Sequence, residues 1–278
     1  MTIDQDMSID DEISEESIYK LKESVDTAPK LELIVKESLF LEENLKIKIN
    51  ALGLEESSKK ELNGKTYFGL PSPVDEKINK KIDFPTGNND IINTNSDIHY
   101  GVQFRIKFDI DEYCYYIKDC SYGRGYGTFM KVINGMKIRD NMLINIGNNY
   151  LVITFGVDDS EPEENNTIDE NQKILSIKVF GGDLVNYSYV FNANQVNKIL
   201  IGKDEKCNVV LIDELLDDVH CMIEFKNNKG WILYDGYENK NSENGTWVSL
   251  AEDTQIYNGM LIQSNQNIYL CHLIENQQ

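Results

Sequence analysis

The sequence predicts an all-β protein of two β-sandwiches in tandem, preceded by an acidic, partly disordered N-terminal extension. Three observations carry this reading. Short apolar runs with a period of two recur along the chain, as in Leu45-Lys46-Ile47-Lys48-Ile49-Asn50, the pattern of a half-buried strand. Fifteen tyrosines among 278 residues suit pleated surfaces better than a helical bundle, because aromatic side chains pack well across neighbouring strands. The two halves also share a spaced repeat, the sign of duplicated units. Gly127-Thr128-Phe129 matches Gly245-Thr246-Trp247, and Met142-Leu143-Ile144 follows the first glycine at the spacing at which Met260-Leu261-Ile262 follows the second. Ile138 and Ile256 keep the same interval, and the aromatic run Tyr115-Tyr116-Ile117-Lys118-Asp119 parallels Trp231-Ile232-Leu233-Tyr234-Asp235. His99 and His220 each precede an alternating strand. A chain of this length has room for two domains that each bury a core.

Taken in order, residues 1–41 read as an acidic tail. Asp4, Asp6, Asp10, Asp11, Glu12, Glu15 and Glu16 form a like-charge block of the kind that stays disordered. Lys30 to Leu41 is apolar enough to dock as a helix or an extra strand. The first sandwich is expected over 42–157, opening with the strand at Leu45. Residues 158–172, with Asp158, Asp159, Glu161, Pro162, Glu163 and Glu164, are charged and without periodicity, which marks a linker. The second sandwich is expected over 173–275. It opens with Ile174-Leu175-Ser176-Ile177-Lys178-Val179-Phe180, turns at Gly181-Gly182 and returns through Tyr187 to Phe191.

Composition narrows the function classes. A net charge of −20 argues against nucleic acid, whose phosphates demand clustered Lys and Arg, and against an anionic membrane surface. A protein partner with a basic surface is compatible with it. The five cysteines form no Cys-x-x-Cys pair, and Cys114, Cys207, Cys221 and Cys271 sit in strand-like apolar runs, where a thiol acts as a small hydrophobe. Reduced thiols in a cytoplasmic or nuclear setting are expected. No apolar stretch follows a basic start, and none reaches membrane-spanning length.

Ile199 to Val248 carries a more specific order. Ile199-Leu200-Ile201-Gly202-Lys203 is a strand ending in Gly-basic, and Cys207-Asn208-Val209-Val210-Leu211 is a second strand. His220 opens a third, Trp231 to Asp235 is aromatic, and Ser242-Glu243-Asn244-Gly245-Thr246-Trp247 closes a polar loop. This order resembles the forkhead-associated (FHA) domain, a β-sandwich that binds phosphothreonine peptides. The second copy matches clearly, and the first is a divergent relative. The Asn-, Ile- and Lys-rich usage is similar to FHA proteins of ciliate protists, which leaves a ciliary or cytoskeletal setting open.

The resemblance implies a site. A phosphothreonine brings about −2 charge and several strong acceptors, so a cation and hydroxyl or amide donors must converge on it. In the family these are a Gly-Arg, the serine of Ser-x-x-His and a polar residue before Gly-Thr, while the histidine and threonine brace the loops. In the second copy Lys203 takes the arginine position, Asn244 the asparagine position, and His220 and Thr246 the bracing positions. Asp217 stands where the serine belongs, and its carboxylate repels a dianion. Lys203 offers a point charge without a bidentate fork. The first copy keeps Ser96-Asp97-Ile98-His99 and Thr128. Its cation position falls on Leu70 of Tyr67-Phe68-Gly69-Leu70 or, alternatively, on Thr86-Gly87-Asn88, neither of them charged. Arg124 lies close enough to lend charge, Tyr126 replaces the asparagine, and the span from Leu70 to Asn89 is longer than usual for the family.

Each copy thus keeps its bracing residues and about half of its ligand residues. The expectation is a non-enzymatic interaction module or scaffold subunit, docking largely without phosphate. The alternatives are a phosphothreonine reader using Lys203 with Asn244 or Ser96 with Arg124, and an accessory subunit of an enzyme complex. Gly123-Arg124-Gly125-Tyr126-Gly127 precedes a strand, not the helix a nucleotide loop needs. Asp109-Asp111-Glu112 lacks the spacing of a calcium loop. No catalytic constellation, cofactor or metal site is expected.

Overall fold

The computed structural model describes residues 14–57, 63–87, 100–121, 127–156, 174–181 and 187–275. The first elements are helix α1 (Glu15–Ser24) and strands β1 (Lys30–Glu37), β2 (Lys46–Asn50), β3 (Gly53–Leu54) and β4 (Lys65–Leu70). Helix α2 (Glu76–Lys81) and strands β5 (Phe84–Pro85), β6 (Gly101–Asp109) and β7 (Cys114–Asp119) follow. Next come β8 (Thr128–Lys131), β9 (Met136–Lys137), β10 (Met142–Ile146), β11 (Asn149–Gly156), β12 (Ile174–Gly181) and β13 (Ser188–Asn192). The chain continues through β14 (Lys198–Gly202), β15 (Val209–Val210), β16 (Cys221–Lys226), β17 (Gly230–Asp235) and β18 (Trp247–Ser249). It ends with β19 (Thr254–Gln255), β20 (Leu261–Ser264) and β21 (Asn267–Ile274). The protein is all-β.

These strands gather into two compact units. A terminal unit combines Met1–Thr128 with Leu250–Gln278, and a central unit holds Phe129–Ser249. The expected sandwiches, 42–157 and 173–275, run across these limits, so each contributes strands to both units. The reason is non-local: the segment after Thr128 and the segment after Ser249 each find their pairing partners in the opposite half of the sequence.

In the terminal unit one sheet has the order β20-β21-β1-β2-β3 and the other β19-β7-β6-β4-β5. The segment from Lys30 forms β1, so sheet structure starts well before Leu45. Leu31, Leu33 and Val35 alternate inward and are fully buried, each contributing roughly 1.5–3 kcal/mol of apolar burial. Ahead of β1, Ser14 caps α1 by accepting the Ser17 N–H at 3.2 Å, and Glu15 and Glu16 favour the positive helix start. The helix buries Leu21. Most of the acidic block expected to form a tail, residues 1–13, lies outside the described residues. The core is aromatic: Phe68 stacks on Phe104 with ring centroids 4.5 Å apart, and Tyr269 meets both edge-on.

The central unit has sheets of order β13-β12-β11-β10-β18-β8 and β15-β14-β16-β17-β9. Its core is mainly aliphatic, with Ile144, Ile153, Ile177, Ile199, Ile201 and Ile223 around the buried Trp231. Strand β13 returns antiparallel to β12 from Ile174↔Asn192 to Lys178↔Ser188. The 158–172 linker lies outside the described residues. Among those described, no helix is long and apolar enough to cross a membrane, and all five cysteines are free.

Candidate recognition site

In the central unit the site begins where β14 ends. A Cβ on Gly202 would collide with the Asp218 carbonyl, so this position demands glycine by close approach. The backbone then zips two loops together. The Lys203 N–H donates to the Asp217 carbonyl at 3.2 Å, and the Asp204 N–H donates to the Asp218 carbonyl at 3.0 Å. Lys203 itself is exposed.

His220 is fully buried. Its Nδ1 accepts the Asp217 N–H at 3.3 Å, which puts the ring proton on Nε2, 3.0 Å from the Gly245 carbonyl that accepts it. One neutral ring therefore braces the 213–218 loop against the Asn244-Gly245 turn. That turn is held from beneath by Asp235, whose Oδ1 accepts the hydroxyls of Ser242 at 2.6 Å and Thr246 at 2.9 Å. The Gly245 N–H donates to Ser242 Oγ at 2.9 Å, and the Trp247 indole N–H donates to the Asn244 carbonyl at 3.0 Å. Gly245 adopts a φ of 79°, a region where a side chain is strained.

Two of the candidate contact groups are engaged within the protein. The Asn244 side-chain amide donates to the Leu215 carbonyl at 2.7 Å. Asp217 Oδ2 accepts the Glu243 N–H at 2.8 Å, so the carboxylate takes a donor from the loop beside Asn244. Exposed Ile212 and Leu215 share the 212–218 loop with Glu214 and Asp218. Lys131, which sequence reasoning missed, lies beside this turn. Its Nζ is 5.9 Å from the Trp247 ring, and its side chain is what a Cβ at Gly245 would meet. No spacing within Ile199–Val248 could reveal it, because it comes from the other half of the sequence.

The terminal unit contains some similar backbone contacts with different side chains around them. The Thr86 N–H donates to the Gly69 carbonyl at 2.9 Å, just as the Leu211 N–H donates to the Gly202 carbonyl at 2.9 Å. Gly69 and Gly202 thus make the same kind of backbone contact, and Leu70 follows Gly69 as Lys203 follows Gly202. Leu70 is 2% exposed, an apolar plug where the other unit has a cation. Thr86 falls at the end of β5, one strand away from that position. The long span after Leu70 folds as α2, capped by Asp75, and carries Lys77, Lys80 and Lys81. Lys81 lies over the Tyr67 ring at 5.0 Å.

Gln103 makes a backbone contact like that of His220. The Cys120 N–H donates to its carbonyl at 2.7 Å, as the Gly236 N–H donates to that of His220 at 2.8 Å. Its Oε1 accepts the Thr86 hydroxyl at 2.9 Å. A glutamine gives no motif signal, so only the strand register identifies it. Thr128 is buried and bonds to Ser264 Oγ at 3.1 Å. Asp119 accepts the Ser121 hydroxyl at 2.7 Å, and burial raises its carboxyl above the ordinary aspartate range. Ser96, His99 and Arg124 lie outside the described residues, as does Tyr126.

Residues 199–271 match the family model of the FHA domain. No curated protein matches the chain. An FHA domain is a protein-interaction module, so the matched stretch assigns the chain protein partners.

Proposed function

We propose that this chain is a non-enzymatic docking module, a tandem pair of FHA-like sandwiches that engages protein partners largely without phosphate. The observation that carries the reading is the Asp217 carboxylate bonded to the Glu243 N–H at 2.8 Å. A phosphate at this turn would lie close to a like charge. At a separation of about 4 Å and a surface-like effective dielectric, each unit pair repels by roughly 4 kcal/mol. Leu70, buried where Lys203 stands in the other unit, removes the cation from the terminal site as well. The surviving framework of His220, Asp235 and Thr246 keeps the loops rigid for other contacts, through sheet faces and exposed apolar groups such as Ile212 and Leu215. The net charge of −20 favours a basic partner surface.

A second reading, a phosphothreonine reader, draws on the exposed Lys203 at the end of β14, with Asn244, Ser96 and Arg124 as further contacts. Retention on a phosphothreonine peptide library, against its unphosphorylated twin, separates the two. Equal or absent retention is expected. Selective retention of phosphorylated peptides that is lost in Lys203→Ala would overturn docking without phosphate. A role as the accessory subunit of an enzyme complex is compatible with either reading.

A further inference from the structure

We infer that the two repeats have exchanged their C-terminal strand sets within one chain, so that each recognition loop is anchored by the other repeat. The inference rests on the duplication proposed above and not on what the sandwiches bind. Along the chain the order is a first N-part (up to Thr128), a first C-part (Phe129 to Gly156), a second N-part (Ile174 to Ser249) and a second C-part (from Leu250). The terminal unit joins the first N-part to the second C-part, and the central unit joins the second N-part to the first C-part.

The registers show that the two C-parts do equivalent work. Leu31, Leu33 and Val35 of β1 pair with Leu273, Cys271 and Tyr269 of β21. Leu175, Ile177 and Val179 of β12 pair with Phe155, Ile153 and Leu151 of β11. Leu151, Ile153 and Phe155 stand as far after Gly127 as Tyr269, Cys271 and Leu273 stand after Gly245. The second sheets agree. Ile117 and Tyr116 of β7 pair with Thr254 and Gln255, while Leu233 and Ile232 of β17 pair with Met136 and Lys137 at the same intervals from the two glycines.

Site anchoring follows the exchange. Asn149 of the first repeat, 2% exposed, donates its amide to Asp213 Oδ2 at 2.8 Å in the loop that carries Asp217. Its counterpart Asn267, 1% exposed, donates to the Thr86 carbonyl at 3.1 Å in the terminal unit. Neither repeat therefore holds a complete site. The 158–172 segment joins strands of one unit, and it is not a tether between two independent domains.

The test is a recognition sequence for a site-specific protease placed between Asp158 and Gln172 of the full chain, cut under native conditions. The two fragments are expected to stay together as one species through dilution and high salt, parting only as the fold melts. Paired cysteines fix the connectivity by mass mapping after mild oxidation. Thr154→Cys with Ser176→Cys, and Glu32→Cys with His272→Cys, should each form a disulfide, while Ser176→Cys with His272→Cys should not. Fragments that separate as two folded halves, with the 176–272 link formed, would overturn the exchange and leave the duplication standing. A 154–176 link without the 32–272 link would instead break the equivalence of the C-parts, and the duplication would fall with it.

Discussion

The bond between Asn149 and Asp213 allows a quantitative test. Asp213 is a hub: besides the Asn149 amide at 2.8 Å, its carboxylate accepts the Asn148 N–H at 2.7 Å, the Asn148 side chain at 3.2 Å and the Leu215 N–H at 3.0 Å. Asp213→Ala strands the buried Asn149 amide, which costs about 1–3 kcal/mol, and loosens three more exposed bonds worth a few tenths each. The expected loss is about 2–4 kcal/mol. Asn149→Ala leaves the other three donors on Asp213, so its loss should be smaller, about 1–2 kcal/mol. The double variant should lose less than the sum, with a coupling of about 1–2 kcal/mol. Urea unfolding followed by far-UV circular dichroism, on wild type, both single variants and the double, gives the cycle. Asn148→Ala, at an exposed position, serves as a control and should cost under about 0.5 kcal/mol. Additivity of the two losses within about 0.3 kcal/mol would refute the assigned bond and, with it, the anchoring of the loop by the other repeat.

Three further outcomes are expected. Replacing Asp217 by Ser together with Lys203→Arg removes the like charge and supplies a fork, so phosphothreonine-peptide affinity should rise at least about tenfold by calorimetry; no gain would show that the carboxylate is not what excludes phosphate. Gly202→Ala forces a Cβ into the Asp218 carbonyl and should lower stability by about 1–3 kcal/mol with the loop register disturbed, read by melting and by amide exchange at Lys203 and Asp204. Glu32 gives a pH signature in the terminal unit. Burial raises its carboxyl, but bonds to Lys46 at 3.1 Å and His272 at 3.4 Å outweigh this and hold it below the ordinary glutamate range. Its stabilisation is present above the unfolded pKa and lost as pH falls through the lower folded value. Glu32→Gln should therefore flatten the acid limb of the stability curve, by no more than about 1 kcal/mol because the Lys46 side chain is 54% exposed.

How much was legible differs from residue to residue. The strands β2 and β12 follow from their alternation, and Gly202 and Gly245 from the resemblance that singles out Gly-basic and Gly-Thr. His220 and Thr246 carry motif signals, and the structure brings both into contact with the Asn244-Gly245 turn or the Asp235 beneath it. Gln103 and Lys131 carry none: the first is recognised only by its register, the second only by its place beside Trp247. The start of the sheet at Lys30 was ambiguous in sequence because Lys30-Leu31-Glu32-Leu33-Ile34-Val35 suits a strand only if a partner strand covers it. That partner, β21, lies at the other end of the chain.

The sequence by itself determined the strand period and with it the all-β class, since these depend on side chains within a few positions of one another. Only the tertiary structure decided which strand set completes which sandwich, that Asp217 takes the Glu243 N–H, and that Leu70 is a buried plug. The physical reason is that β11 and β21 both present an alternating apolar face and each opens with a buried asparagine, Asn149 or Asn267, so strand pattern alone does not choose between them as partners. Local pattern fixes what each strand offers, and chain connectivity together with packing across more than a hundred residues selects its partner.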